Sequence, residues 1–563
     1  MDFRRISMVR MTGKKALLEM LTAEGVEYIF GNPGTSEGAI MDALEDYPNL
    51  KYILATQEGV AMGAADTYAR ATGKPAFINL HIETGLANGI SLLHNAAAGG
   101  TPLVLTAGNK DMRKLVEGRT PLAEMVKLFT KWSVELTHPE QIPGAIRKAF
   151  NEARTPPTGP TFIAFSANSL DGEADMEIVS NREGYFRLSP DKEAIEAASN
   201  ILLESKNPIM LVGDRVAQST ATNEAVQLAE KLGTPVYATY YSEMNFPSKH
   251  PLFNGFMKWG FPETKELLKD YDAVLAVGNV FSGYFFFADE GGNTLPENTK
   301  LVHIDTDASV IGNSEPTDVG IISDPKTGMS ALYQSLNNKS SGSYQEDSKG
   351  RIEKISSKIA TDRESALNRS KQNWNQIPMS ASRMMHEIAD CIPENTVIVD
   401  DSVTTRGAVF ENIEFNQTGQ IFGERGGAIG WGLGAGIGAK LANPDRPVVA
   451  IVGDGSAMMT VQAFYTAAIE NIPVVYVICN NQSYRVLKVN MDIYKDLVLG
   501  GTQNPSKYLA MDFPKALDMA GLAEAMGVHG VRITDPLEIG PELTKAIKSK
   551  KPTVLDISID GSL

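Results

Sequence analysis

The sequence predicts an α/β protein built from three doubly wound, parallel-sheet domains, and three observations carry that prediction. Short apolar runs rich in β-branched residues alternate with stretches of helical periodicity, which is how parallel strands covered on both faces read. Several of these runs stop at turns rich in Gly, Asp or Asn, where open α/β sheets place their ligands. At 563 residues the chain is also too long for one core, and three or so domains are expected.

Taken in order, Thr12 is placed to cap a helix over Gly13–Ala23, whose Ala16, Leu17, Met20 and Leu21 share one face. A strand at 26–30 runs into the turn Gly31, Asn32, Pro33, Gly34, Thr35, Ser36, Glu37. Strands at 52–55, 75–80 and 102–107 follow, with a helix over 59–70 and another opened by Gly85, Leu86, Ala87, Asn88, Gly89. This first domain spans 1–180. The second, 189–335, has strands at 209–212, 236–239, 273–277 and 301–304. Residues 336–375 turn to Ser, Asn, Lys and Glu, a solvated linker leading into a polar helix. The third domain, 376–563, has strands at 396–399, 447–452, 473–479 and 553–559.

The apolar and charged fractions, 43% and 21%, are those of a globular protein. A net charge of −16 argues against nucleic acid or an anionic membrane surface as partner. No apolar run is long enough to span a bilayer, and the basic N-terminus has no apolar stretch behind it to act as a secretory signal. Cys391 and Cys479 are the only cysteines, the second inside a buried strand, which suits a reducing compartment. A cytoplasmic location is expected.

The chemistry concentrates at 447–488. A buried strand stops at Gly453, Asp454, Gly455, Ser456, a helix follows, and a second strand ends at Asn480, Asn481. Mg²⁺ is held by a few protein oxygens together with substrate phosphates. Asp454 and Asn481, with the Ser483 backbone carbonyl, can supply those oxygens, and the helix N-terminus beside Ser456 favours the phosphate. A lone Gly-Asp-Gly is weak evidence. The pair of Asn residues at the end of the next strand, 27 residues on from Asp454 to Asn481, makes it specific.

This motif, and the chain from about residue 10 onward, resembles thiamine-diphosphate enzymes of the benzoylformate decarboxylase/acetolactate synthase superfamily. The resemblance implies a pyrimidine-binding first domain, a Rossmann-like middle domain and a diphosphate-binding third domain. It implies that Asp454, Asn481 and the Ser483 carbonyl hold Mg²⁺ on the cofactor's diphosphate. Gly455, Ser456 and Thr404 would bind diphosphate oxygens, with Tyr484 also in the cofactor site. In Gly426, Gly427, Ala428, Ile429, Gly430, the Gly427 carbonyl would accept from the exocyclic amine and Ile429 would force the two cofactor rings into a V. Glu58, after a strand and at the start of a helix, would share a proton with the aminopyrimidine ring. One cofactor would be bridged by two subunits, so the expected active unit is a homodimer, within a homotetramer. The middle domain shows only a generic turn, Gly213 and Asp214, and no FAD is expected.

His81, at a strand end, resembles the proton-relaying histidine of benzoylformate decarboxylases, which acetolactate synthases lack, and imidazole is the side chain suited to relaying protons. Thr35 matches a serine that contacts substrate carboxylate. A second catalytic histidine of that decarboxylase is replaced by Tyr284. Val486, Leu487 and Asn490 would line the pocket, and Asn490 makes it more polar than an aryl site needs. The expected activity is decarboxylation of a 2-oxo acid to an aldehyde, with possible carboligation to a 2-hydroxy ketone. The alternatives are an acetolactate-synthase-like carboligase, a 2-hydroxyacyl lyase, and a non-catalytic cofactor-binding scaffold. A nicotinamide enzyme would need a G-x-G-x-x-G loop after the first strand of an outer domain, and none is present.

Overall fold

The computed structural model describes residues 8–563 except 115–117, 182–185, 240, 258, 260–261, 279–280, 282–292 and 502–506. Among the described residues the chain forms three six-stranded parallel sheets and one two-stranded antiparallel ribbon.

The ribbon pairs β1 (Val9–Thr12) with β8 (Glu173–Met176), and so ties the first domain's entry to its exit. Between them lie β2 (Tyr28–Gly31), β3 (Lys51–Leu54), β4 (Ala76–Leu80), β5 (Leu103–Asn109), β6 (Trp132–Leu136) and β7 (Thr161–Ser166), in the order β3-β2-β4-β5-β7-β6. The second sheet holds β9 (Pro208–Val212), β10 (Val236–Ala238), β11 (Phe253–Phe256), β12 (Ala273–Val277), β13 (Lys300–Asp305) and β14 (Val319–Ile322), in the order β11-β10-β9-β12-β13-β14. The third holds β15 (Val397–Asp401), β16 (Ile421–Gly423), β17 (Val448–Gly453), β18 (Val475–Asn480), β19 (His529–Ile533) and β20 (Thr553–Ser558), in the order β16-β15-β17-β18-β20-β19.

The central strands are buried from end to end, as their continuous apolar runs require. The helix over Gly13–Ala23 forms as expected, but the Thr12 side chain makes no capping bond; a backbone bond from Gly13 to Gly172 holds that end instead. Residues 336–375 are helical over most of their length, with Pro325–Lys339 running almost directly into the 29-residue helix Gly342–Ser370. The long helix buries only Tyr344, Ser348 and Ile359, which is why its sequence is so polar. No helix among the described residues is long and apolar enough to cross a membrane.

The first and third domains touch through two helices, Glu58–Thr72 and Gly432–Ala442, that approach at backbone distance. A Cβ on Gly438 would stand 1.9 Å from the Ala64 carbonyl oxygen, and one on Gly434 2.6 Å from that of Val60. All three domains meet at two buried arginines. Arg70 binds Glu243 (3.0 Å) and the carbonyls of Gly423 and Ser242 (2.9 Å each). Arg425 reaches Glu243, Asp214 (3.2 Å) and the Gly99 carbonyl (2.6 Å). Burial works against the charge on Asp214, yet Arg425 and Arg70 hold its carboxyl below the usual range.

Candidate active site

In the third domain, β17 and β18 are paired in parallel, so Asp454 and Asn481 emerge side by side at their carboxyl ends. Asp454 is buried. Its Oδ1 accepts the Gly455 N–H (2.8 Å) and its Oδ2 the Gln482 N–H (2.6 Å). Burial pushes its carboxyl up to about 6, the response of an acid that lacks a counter-charge. Gln482, at φ +56°, turns the chain back so that its N–H meets Asp454. The first asparagine of the pair is spent structurally, as Asn480 donates to Asp556 (2.8 Å) and to the Leu517 carbonyl (3.0 Å). The second, Asn481, accepts the Ser483 N–H at 3.0 Å. Ser483 is buried and bridges to Asp512.

Tyr484 packs edge-on to Phe513 and lies directly over the turn, with its ring 2.5 Å from where a Gly455 Cβ would sit. Gly455 is therefore required by its own neighbour. The Ser456 hydroxyl donates to Asp401 and accepts the Gly430 N–H at 2.7 Å. That hydroxyl is engaged within the protein, which leaves the Ser456 backbone N–H, in the Asp454–Ala457 helical turn, as its donor toward a phosphate. Thr404 is half-buried in the tight turn Val403–Thr405, where Val403 takes φ +51°.

Three acids beside this turn were not singled out by sequence reasoning. Asp401 ends β15. Its Oδ2 accepts from Gly432 and Ser456, its Oδ1 is buried with no partner among the described residues, and burial pushes it up to about 6. Asp400 is ion-paired with Arg406 at 2.6 Å. Glu424 accepts from the Gly427 N–H and is pushed up to about 7, chiefly by burial. Gly426, Gly427 and Gly430 take φ values of +81°, +90° and +95°, so the turn around half-buried Ile429 needs glycine at all three. Asn95 of the first domain brackets it, donating to the Ala428 carbonyl (2.8 Å) and accepting the Ala428 N–H (3.1 Å).

In the first domain, Glu58 is the first residue of its helix, capped by Gln57, and is nearly buried. Asn32 donates to Oε1 (3.1 Å) and Asn88 to Oε2 (3.0 Å). Both asparagines stood in motifs the sequence displays, NPG and GLANG, without an assigned task. The second motif does not open a helix; the helix begins at Ile82, and Gly85 leaves space for Glu58, whose Oε1 would lie 3.0 Å from a Cβ there.

His81 follows β4 and caps that helix, with its ring laid on Gly34. Its Nδ1 lies 2.9 Å from Glu37 Oε2 and 2.8 Å from Ser36 Oγ. The next residue, Ile82, takes φ +22°, a β-branched residue in a conformation it disfavours. Ile82, Val403 and Gln482 thus place a strained residue at three of the candidate turns. Thr35 is exposed at the start of the turn Thr35–Glu37, and Val486, Leu487 and Asn490 lie on the helix Arg485–Leu497. Tyr284 lies outside the described residues.

The donor set fits thiamine diphosphate with Mg²⁺. Asp454 is a buried acid in want of a cation, and Gly453 faces space that a Cβ would enter with nothing nearer than 3.9 Å. Among the described residues no group of three or more His, Cys, Asp or Glu side chains is set to hold a metal. A cation completed by phosphate oxygens suits one carboxylate and one carboxamide.

Three family models match in chain order. They are the N-terminal TPP binding domain of thiamine pyrophosphate enzymes over 11–128, the central domain over 195–332 and the C-terminal TPP binding domain over 403–557. Benzoylformate decarboxylase of Pseudomonas aeruginosa is 28% identical over 97% of this chain and 98% of its own. A probable acetolactate synthase large subunit of Methanocaldococcus jannaschii is 28% identical over 98% of this chain and 92% of its own. Among solved structures, benzoylformate decarboxylase from Polynucleobacter necessarius superposes with a TM-score of 0.83 at 25% identity, covering 98% of this chain and 99% of that one.

Proposed function

Because the chain belongs to the thiamine pyrophosphate enzyme family, we propose that it is a Mg²⁺-dependent enzyme that decarboxylates a 2-oxo acid to an aldehyde, with carboligation to a 2-hydroxy ketone as a side branch. The observation that carries the reading is Glu58, a nearly buried carboxyl clamped between two carboxamides, in the same domain as a histidine backed by a second acid.

When bound, thiamine diphosphate supplies a carbon nucleophile and an electron sink. The protein's share is to hold, orient and move protons. Asp454, Asn481 and the Ser483 carbonyl would hold Mg²⁺, while Gly455, Ser456 and Thr404 would line the diphosphate and Tyr484 braces the turn. The Gly427 carbonyl would be an acceptor for the cofactor's amine, and Ile429 would support its rings. Glu58 would hold a proton for exchange with the cofactor's pyrimidine ring. His81 would hold and deliver a proton on the substrate side of the site, and Thr35, Val486, Leu487 and Asn490 would face the substrate. Val403, Met458, Met459, Tyr465, Ile469 and Leu487, on and around the cofactor turns, are 38–46% exposed for large apolar side chains. That exposure supports a second copy covering the site in a homodimer or larger assembly.

Substituting Glu58→Gln is expected to retain cofactor binding with Mg²⁺ but to lose exchange of the cofactor C2 proton and most CO₂ release across a panel of aliphatic and aromatic 2-oxo acids. Unchanged exchange in that variant would remove Glu58 from the role. The acetolactate-synthase-like reading is favoured by the full-length match to the M. jannaschii relative. The product of a single 2-oxo acid, acyloin rather than aldehyde, would establish it.

A further inference from the structure

We propose that Glu37 is a positioning residue for His81, fixing the imidazole with its proton on Nδ1 and so making Nε2 the atom that exchanges protons with substrate. The proposal rests on the decarboxylase reading above, and its test is arranged so that the two fail separately.

The argument is a count of donors. Glu37 is fully buried, and each of its oxygens has two neighbours. Oε1 accepts the Ser36 hydroxyl (2.8 Å) and the Gly108 N–H (2.9 Å). Oε2 accepts the Gly34 N–H (3.0 Å) and faces His81 Nδ1 at 2.9 Å. Ser36 has one hydroxyl proton and gives it to Glu37, so toward Nδ1, 2.8 Å away, Ser36 Oγ can only accept. An ionised carboxylate accepts only. Both partners of Nδ1 are therefore acceptors, and in the neutral ring the proton sits on Nδ1 and the lone pair on Nε2.

The carboxylate is fixed by the sheet. Gly108 lies within β5, and Gly34 lies in the turn after β2, so Glu37 is gripped from both sides of β4, whose end carries His81. Close packing leaves Glu37 little freedom: a Cβ on Gly108 would stand 2.6 Å from its Oε1, and one on Gly34 2.3 Å from the His81 ring. When Nε2 takes up a proton, the Nδ1–Glu37 bond becomes charge-assisted and steadies the imidazolium until the proton is passed on. A carboxylate that merely capped the Thr35–Glu37 turn would need only the Gly34 bond.

The test uses the holoenzyme with thiamine diphosphate and Mg²⁺, and the 2-oxo acid that gives the fastest CO₂ release. For Glu37→Gln, the expected result is cofactor affinity and C2-proton exchange within about twofold of the unaltered protein, KM within about threefold, and kcat reduced on the order of 100-fold. An unchanged kcat, or a loss of C2-proton exchange in step with kcat, would overturn the assignment. Nitrogen-15 spectra of histidine-labelled protein, with the His81 signals identified by their loss in His81→Asn, read the tautomer directly. The proton is expected on Nδ1 in the unaltered protein and redistributed toward Nε2 in Glu37→Gln. A proton on Nε2 in the unaltered protein refutes the proposal even if the variant does not fold. If no 2-oxo acid is decarboxylated, the functional reading fails while the spectra still decide the role of Glu37.

Discussion

Replacing Glu424 by glutamine is expected to stabilise the cofactor-free protein above neutral pH and to leave it unchanged in acid. Burial is the main cause that pushes the Glu424 carboxyl up to about 7 from 4.5, with Asp401 and Asp400 adding to it against the pull of Arg406. With the folded value above the unfolded one, the native state holds the extra proton. The associated stability is fully present below pH 4.5, the unfolded value, and is lost as pH rises through about 7. The difference of about 2.5 units corresponds to about 3 kcal/mol, taking 1.36 kcal/mol per unit. Glutamine keeps an oxygen for the Gly427 N–H and has no charge to desolvate. If the third domain, about 190 residues, melts as a unit, its unfolding entropy is about 0.4 kcal/mol/K, and the gain at pH 8 is about 8 °C in melting temperature. Calorimetric melts of both proteins at pH 5, 6, 7 and 8 would measure it. Parallel curves, with the same offset at every pH, would refute the reasoning.

Two further outcomes follow from packing. Gly438→Ala would drive a methyl group to within 1.9 Å of the Ala64 carbonyl. The two helices must then part along their length, at a cost of about 3 kcal/mol or more, visible as a lowered melting temperature together with weaker cofactor binding. A melting temperature unchanged by Gly438→Ala would show that the helices are not held at this distance. Arg425→Met removes the cation paired with Asp214 and one of the two paired with Glu243, which keeps Arg70, and is expected to destabilise by about 3 kcal/mol, since Asp214 loses its ion pair. The double change with Asp214→Asn should recover part of that loss, and no recovery would contradict the pairing.

The fold was legible where the strands are central. Ala76–Leu80, Ala273–Val277 and Val475–Asn480 are buried on both faces, so a continuous β-branched run announces them. The edge strands Trp132–Leu136, Val319–Ile322 and His529–Ile533 were not, because half-exposed residues interrupt the apolar signal. Thr161–Ser166, fully buried, carried the same signal as its neighbours and was overlooked behind a run of prolines. In the site, residues whose type and spacing carry chemistry, Asp454, Asn481, Glu58 and His81, stood out. The residues around them did not, since Asn32 and Asn88, which clamp Glu58, Glu37, which holds His81, and Asn95, which brackets Ala428, act through contacts between segments distant in sequence. Glu424 and Asp401 were hidden for the same reason, as burial that shifts a carboxyl is a property of the packed domains.

The meeting of Arg70 and Arg425 at the junction of the three sheets bears on how this scaffold can be re-engineered. Each guanidinium takes acceptors from two other layers, so a chimera cut at a domain boundary would import one half of a bonding set and strand the other. Recombination with a relative should succeed only when residues 66–70, 99, 214, 242–243 and 423–425 travel together, whatever their distance along the chain. The natural unit of exchange is therefore this shared knot with its three surrounding faces, and the sheets count as interchangeable parts only after it is matched.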